Sequence, residues 1–235
     1  MVETTNLNEC KKIAENLLNI RVEEQISYIP ELISHPLFET PFITNQKTGK
    51  IINILDNEDN YNIAINQLKV KIKDCNNYKK LTQLITKPYK LAFFKLTIDY
   101  ICMKDFCNNL IDSWVSDEYI CENVNVSKAE LLNYFKMASK KLLMNEEELN
   151  YFSKLEDEIT VYRGVTNYNK NNLSALSWTL DKEIAKWFCE RFNENGNIYK
   201  AIISKKDIFA YCNKRKEKEL ILDYTKLTNV QLLKE

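Results

Sequence analysis

Apolar side chains recur every three or four positions through the first two-thirds of this chain, then shift to an alternating pattern in the last third. In "NLNECKKIAENLLNI" the positions Cys10, Ile13, Leu17 and Leu18 form one helical stripe, so residues 6–34 are expected as one or two helices. Two prolines and Gly49 interrupt "HPLFETPFITNQKTGK", which reads as a loop or an irregular crossing. "IINIL" reads as a short strand or the start of the next helix. From about Asn60 to Leu143 the helical spacing returns, including an amphipathic segment from Leu91 to Val115. "SKAE" (Ser127 to Glu130) and "NEEE" (Asn145 to Glu148) are capping boxes, each ahead of an apolar run. Residues 1–155 are therefore expected as a helical domain whose Leu, Ile and aromatic stripes form its core.

The texture changes near Glu156. "EITVYRGV" and "LSALSWTL" are short runs of strand-forming residues. "DKEIAKWFCERF" reads as a helix with Asp181 as N-cap and Ile184, Ala185, Phe188 and Phe192 on one face, stopped near Gly196 as a C′ residue. "NIYKAIISKKDIFAY", "KELILDY" and "NVQLL" follow as further strands. Their connections are too short for a doubly wound parallel sheet. The fold class expected is α+β: an N-terminal helical bundle (1–155), then a small mixed β-sheet module (156–235).

Composition narrows the chemistry. Basic and acidic side chains balance at 33 each, so net charge implies no general affinity for nucleic acid or membrane. Residues 158–235 carry 14 basic and 10 acidic side chains, leaving 19 and 23 for residues 1–157. A single histidine, His35, argues against histidine-rich metal sites, and three scattered glycines argue against phosphate-cradling glycine loops. His35 lies in a proline-flanked loop and is expected to be structural. The seven cysteines include no C-x-x-C pair, and "MVETTNLNEC" has no export signal, so reduced thiols and a cytoplasmic protein are expected. No apolar run reaches the roughly 20 residues of a membrane span. Acid–base work would fall to carboxylates.

Three features of the C-terminal module point to such chemistry. Only four basic residues are arginine (Arg21, Arg163, Arg191, Arg215), and Arg163 sits at a strand end beside Gly164. A guanidinium forks two hydrogen bonds onto a phosphate, which lysine cannot do, and a glycine lets backbone approach a flat ligand. Ser177 and Thr179 flank Trp178 on one strand. Glu217 and Glu219 precede the apolar "LIL", and residues i and i+2 of an extended chain share a face. Each feature alone has an ordinary reading: a salt bridge and turn, a solvated sheet face, a charged loop. Their order, with a helix between the second and third, is more specific.

"VYRG", "LSWT", "AKWF" and "EKELIL", in that order, resemble the Arg-Ser-Glu class of ADP-ribosyltransferases, particularly the arginine-modifying ecto-enzymes and their bacterial toxin relatives. The tail "DYTKLTNVQLL" looks like that family's last strand, and the resemblance covers about residues 158–235. Trp178 replaces the middle residue of the family's Ser-Thr-Ser run and is expected to pack into the other side of the sheet. The resemblance implies an enzyme that uses NAD as substrate, without a metal. Arg163 would hold the diphosphate, backbone at Gly164 the nicotinamide carboxamide, and Ser177 with Thr179 would face the cleft. Ser177 would brace Glu219, Glu219 would stabilise the oxocarbenium-like state, and Glu217 would orient the incoming nucleophile. Tyr211, upstream of Glu217, is a candidate for substrate recognition. It implies a mono-ADP-ribosyltransferase acting on a macromolecule, a protein arginine first and a nucleic-acid base second, as a bacterial or phage effector or toxin. The helical domain would be a targeting or partner-binding region. The alternatives are a non-catalytic interaction protein on the same scaffold, and an NAD glycohydrolase with water as acceptor.

Overall fold

In the computed structural model, which describes residues 2–24, 33–116, 125–166, 173–191 and 196–233, the chain divides into two compact units, Met1–Asp117 and Glu118–Glu235. The first is built on helices α1 (Leu7–Leu17), α2 (Glu58–Asp74), α3 (Tyr78–Thr82), α4 (Lys90–Thr97) and α5 (Met103–Ser116). Asparagine starts three of them: Asn6, Asn57 and Asn77 each accept a backbone N–H of the first turn. Phe93, Phe94, Phe106 and Trp114 are buried between the helices, as the stripes required. The amphipathic segment expected from Leu91 to Val115 is two helices, not one. Residues between them leave the helical path, and the Cys102 N–H turns to the Thr5 hydroxyl (3.0 Å), which donates to Asp105 (2.5 Å).

Three short strands appear where the pattern suggested loop or helix, and a fourth where "IINIL" allowed a strand. Strand β1 (Glu23–Glu24) pairs with β2 (Ile33–Ser34), and β3 (Phe42–Thr44) with β4 (Ile51–Asn53), all antiparallel. Gly49 closes the second hairpin at φ +70°, a conformation that favours glycine. His35 is buried, accepts the Leu37 N–H at Nδ1 (3.0 Å) and reaches the Ile20 carbonyl with Nε2 (2.9 Å), so it is a neutral structural histidine.

The second unit begins with α6 (Lys128–Met137), α7 (Lys140–Leu143) and α8 (Glu146–Ser153). Both expected capping boxes are present. Strands β5 (Glu158–Val165), β6 (Ser177–Thr179), β7 (Asn197–Ser204), β8 (Ile208–Cys212), β9 (Glu219–Leu222) and β10 (Thr228–Leu233) form one sheet in the order β10-β7-β5-β6-β9-β8. A mixed sheet was expected, but every pairing in it is antiparallel. The crossover that follows β6 returns the chain beside β5 in the opposite direction, so helix α9 (Lys182–Glu190) makes no parallel unit.

The contact division at 117/118 leaves the sequence-based boundary at 155/156 inside the second unit. Side chains account for that. Phe135 of α6 stacks on Phe209 of β8 (5.9 Å between centroids), and Tyr151 of α8 on Tyr211 (4.4 Å). Glu148 completes its capping box with one oxygen and accepts the Asn213 N–H with the other (3.0 Å each). Helices α6–α8 thus cover a face of the sheet whose strands lie some 60 residues later, a pairing that local pattern does not encode.

Helix α9 covers the opposite face, with Ala185 and Cys189 buried against Tyr162 and Ile198. Asp181 caps it as expected, while Phe192 lies outside the described residues. Two of the three glycines exist for this contact. A Cβ on Gly164 would lie 1.9 Å from the Ala185 carbonyl oxygen, and one on Gly196 2.6 Å from that of Cys189 and 2.2 Å from that of Val165 on β5. Gly196 is therefore a close-packing residue rather than the left-handed helix stop expected of it; its N–H donates to the Cys189 carbonyl (3.1 Å).

Gly164→Ala should lower the stability of this unit by about 3 kcal/mol, because rigid backbone leaves a methyl group no room; urea denaturation followed by tryptophan fluorescence measures it. His35 gives a pH test. Burial lowers its pKa below the ordinary 6.5, so the unfolded chain binds the proton first. Its contribution is intact above pH 6.5 and is lost as the pH falls below that value. A His35→Gln variant should lack the wild-type fall in melting temperature between about pH 6.5 and 5.

Candidate functional site

The site grows out of a place where the sheet opens. Strands β5 and β6 pair at one register position, Tyr162 with Thr179, whereas β5 continues alongside β7 through Val165. Beyond Tyr162 the two strands part. Backbone groups of Leu176 and Leu180 point toward the β9 side, bonding Leu222 and Lys218, so those of Ser177 point toward the opening. A sheet carbonyl without its ladder partner needs another donor. Arg163 supplies it, with Nη1 donating to the Ser177 carbonyl at 2.6 Å.

The Ser177 hydroxyl turns the other way and donates to Glu219 Oε1 at 2.5 Å. Glu219 opens strand β9 opposite Thr179 and is only 2% exposed. Arg163, Ser177 and Glu219 are thus linked through one serine, whose carbonyl takes the guanidinium and whose hydroxyl holds the carboxylate. Trp178 alternates to the other face, where it is buried and its indole N–H donates to Ala175. Strand alternation anticipated that placement.

Glu217 lies on the turn before β9, half-buried, and Arg215 spans both acids. Its Nε is 3.0 Å from Glu217 Oε2 and its Nη2 is 3.5 Å from Glu219 Oε2. Burial pushes the Glu217 carboxyl above its ordinary pKa, and Glu219 adds to that, while Arg215 and Arg191 pull it back. Three of the four arginines therefore bear on this site. Sequence reasoning treated "KRKEKE" as a charged loop around two acids and missed Arg215. The signal was its rarity: an arginine among lysines, two residues before the first glutamate.

The turn itself is unusual. Lys216 and Lys218 both have positive φ, +60° and +44°, a conformation that costs non-glycine residues of order 1 kcal/mol each. Several bonds hold it. Asn213 accepts the Lys218 N–H (3.1 Å), Lys218 pairs with Asp181 (2.7 Å), and the Thr179 hydroxyl donates to the Glu217 carbonyl (2.7 Å) while accepting the Asp181 N–H (3.1 Å).

Several expected site residues have other work. Thr179 is buried with its hydroxyl committed to this turn, so it shapes the loop that carries Glu217 instead of facing a ligand. Gly164 is in the opening, and its bare Cα accommodates α9. Tyr211 is 5% exposed, lies opposite Leu220 and stacks on Tyr151. Leu220 and Glu219 alternate, so Tyr211 is on the face away from the Glu219 carboxylate, where it forms core.

No protein-family model and no solved structure matches the chain. Protein PFC0760c of Plasmodium falciparum (isolate 3D7) is 30% identical over 112 residues, a stretch covering 47% of this chain and 3% of that protein.

Electrostatics at the site can be read directly. Replacing Arg215 with alanine should raise the Glu217 titration further above 4.5, since a lowering influence is removed; carbon-detected NMR of the side-chain carboxyl reports it. A folded state that prefers protonated Glu217 gains from it fully below pH 4.5 and loses that gain as the pH rises through the elevated value.

Proposed function

We propose that the second unit is an NAD-dependent mono-ADP-ribosyltransferase. The observation that carries this reading is the chain of contacts from Arg163 through Ser177 to the buried Glu219, with Glu217 two residues before it on a strained turn. The resemblance ordered these residues from sequence, and the geometry that brings them together supports it.

In this reading Glu219, held by Ser177, accepts a hydrogen bond from a nicotinamide-ribose hydroxyl. The C1′–N bond breaks with its electron pair leaving on nicotinamide, and the carboxylate stabilises the cationic sugar that results. An acceptor nitrogen then attacks C1′, and Glu217 takes its proton. A carboxyl pushed upward by burial suits that role, because a base works best when its pKa approaches the working pH. Arg163 would carry the diphosphate at the opening between β5 and β6, while Nη1 keeps to the Ser177 carbonyl. With Tyr211 and Thr179 committed to packing and to the turn, recognition of the acceptor falls to the two glutamates, which favours a cationic group such as a protein arginine.

One observation favours the non-catalytic alternative: Arg215 ion-pairs with both carboxylates. The two readings part on NAD consumption. Purified protein should release nicotinamide from NAD, and Glu219→Gln should lower the rate at least about 10²-fold while leaving the circular dichroism and melting temperature close to wild type. Wild-type protein that releases no nicotinamide would overturn the proposal. Label from NAD recovered wholly as free ADP-ribose, with a protein lysate supplied, would reassign it to glycohydrolysis.

A further inference from the structure

The feature that the proposed chemistry does not use is Arg215. Its guanidinium lies against the two carboxylates that the reaction needs, 3.0 Å from Glu217 and 3.5 Å from Glu219. Lysine serves as the cation at most other positions of the chain, yet here the residue has a planar fork that spans two acids. Its side chain keeps 34% of its surface exposed, whereas Glu219 keeps 3%. The cation therefore enters from solvent onto an acid that is fixed in the sheet.

Its attachment can be released while the rest of the site stays held. Glu219 is anchored by β9 and by Ser177, and the turn backbone by Asn213, Thr179 and the Lys218–Asp181 pair. Arg215 lies upstream of the two left-handed residues, Lys216 and Lys218. Rotation of its side chain can vacate the carboxylates without unpairing a strand.

We propose that Arg215 is an intramolecular latch: at rest its guanidinium fills the place between Glu217 and Glu219 that an acceptor guanidinium takes when Arg215 swings out to solvent. The inference rests on the transferase reading for its purpose and on the Arg215 geometry for its content. A carboxylate pair that grips one guanidinium has the spacing to grip another, and a tethered competitor acts at an effective concentration in the millimolar range. The latch thereby sets a threshold, admitting an acceptor that offers more than charge alone and discouraging small stray cations.

The test needs no NAD, so its outcome is separate from that of the nicotinamide assay. Methylguanidinium is titrated into wild type, Arg215→Ala and Arg215→Gln, following the side-chain carboxyl signals of Glu217 and Glu219 by NMR, with methylammonium as the control cation. Both variants should bind methylguanidinium at least about tenfold more tightly than wild type, with shifts at both glutamates and a weaker response to methylammonium. In the enzymatic assay the variants should show a lower KM for a guanidinium acceptor with a smaller change in kcat, a pattern that a bracing role would not produce. Equal affinity in all three proteins, no binding by either variant, or loss of the fold in both would overturn the latch.

Discussion

A carboxylate buried at the head of an internal strand is the constraint around which the second unit is arranged. Glu219 is 2% exposed, between β6 and β8. A group of that kind is costly to bury unless hydrogen bonds and opposite charge compensate for lost water. Ser177 supplies the hydrogen bond and Arg215 the charge. The serine can reach Glu219 because β6 pairs with β9, and its carbonyl is left over because β5 parts from β6 after one register position. Arg163 closes that gap. The same few residues thus satisfy the sheet and build the site.

Chain economy follows the same line. Three of the four arginines gather at this site, Arg163 on a carbonyl, Arg215 across two acids and Arg191 over Trp187 and Phe188 within electrostatic reach of Glu217, while Arg21 lies exposed beside Glu58 in the first unit. Glycine is rationed alike. Gly164 and Gly196 let α9 settle onto β5 and β7, and α9 in turn brings Asp181 to Lys218 at the turn. The strained turn is held from both sides, and that is what fixes Glu217 beside Glu219.

Much of this was legible in the sequence because it is local. The capping boxes at Ser127 and Asn145, the Asp181 cap, the strand starting at Glu158, the presence of a strand within "LSALSWTL" and within "KELILDY", and the inward turn of Trp178 all follow from neighbours within a few residues. What escaped depends on partners far along the chain. The face of Tyr211 is set by Tyr151 on α8, the place of α6–α8 by Phe209 and Asn213, and the need for Gly164 by the Ala185 carbonyl. Alternation along a strand says which residues share a face, but not which face a helix will cover. Arg215 escaped for another reason: three lysines around it disguise a paired guanidinium as solvated charge. In the first unit, the helices between Asn57 and Ser116 were legible from spacing, while the two-residue strands near Glu23 and Ile33 are too short to leave a pattern.

The proposed transferase activity requires the opening between β5 and β6 to hold a dinucleotide with its nicotinamide ribose on residue 219. A crystal structure of the Glu219→Gln protein soaked with millimolar NAD tests it most directly. The expected result is a nicotinamide-ribose hydroxyl within about 3 Å of the side chain at position 219 and the diphosphate on Arg163. NAD bound elsewhere, or an opening that stays closed around Arg163 and Ser177 at that concentration, would contradict it.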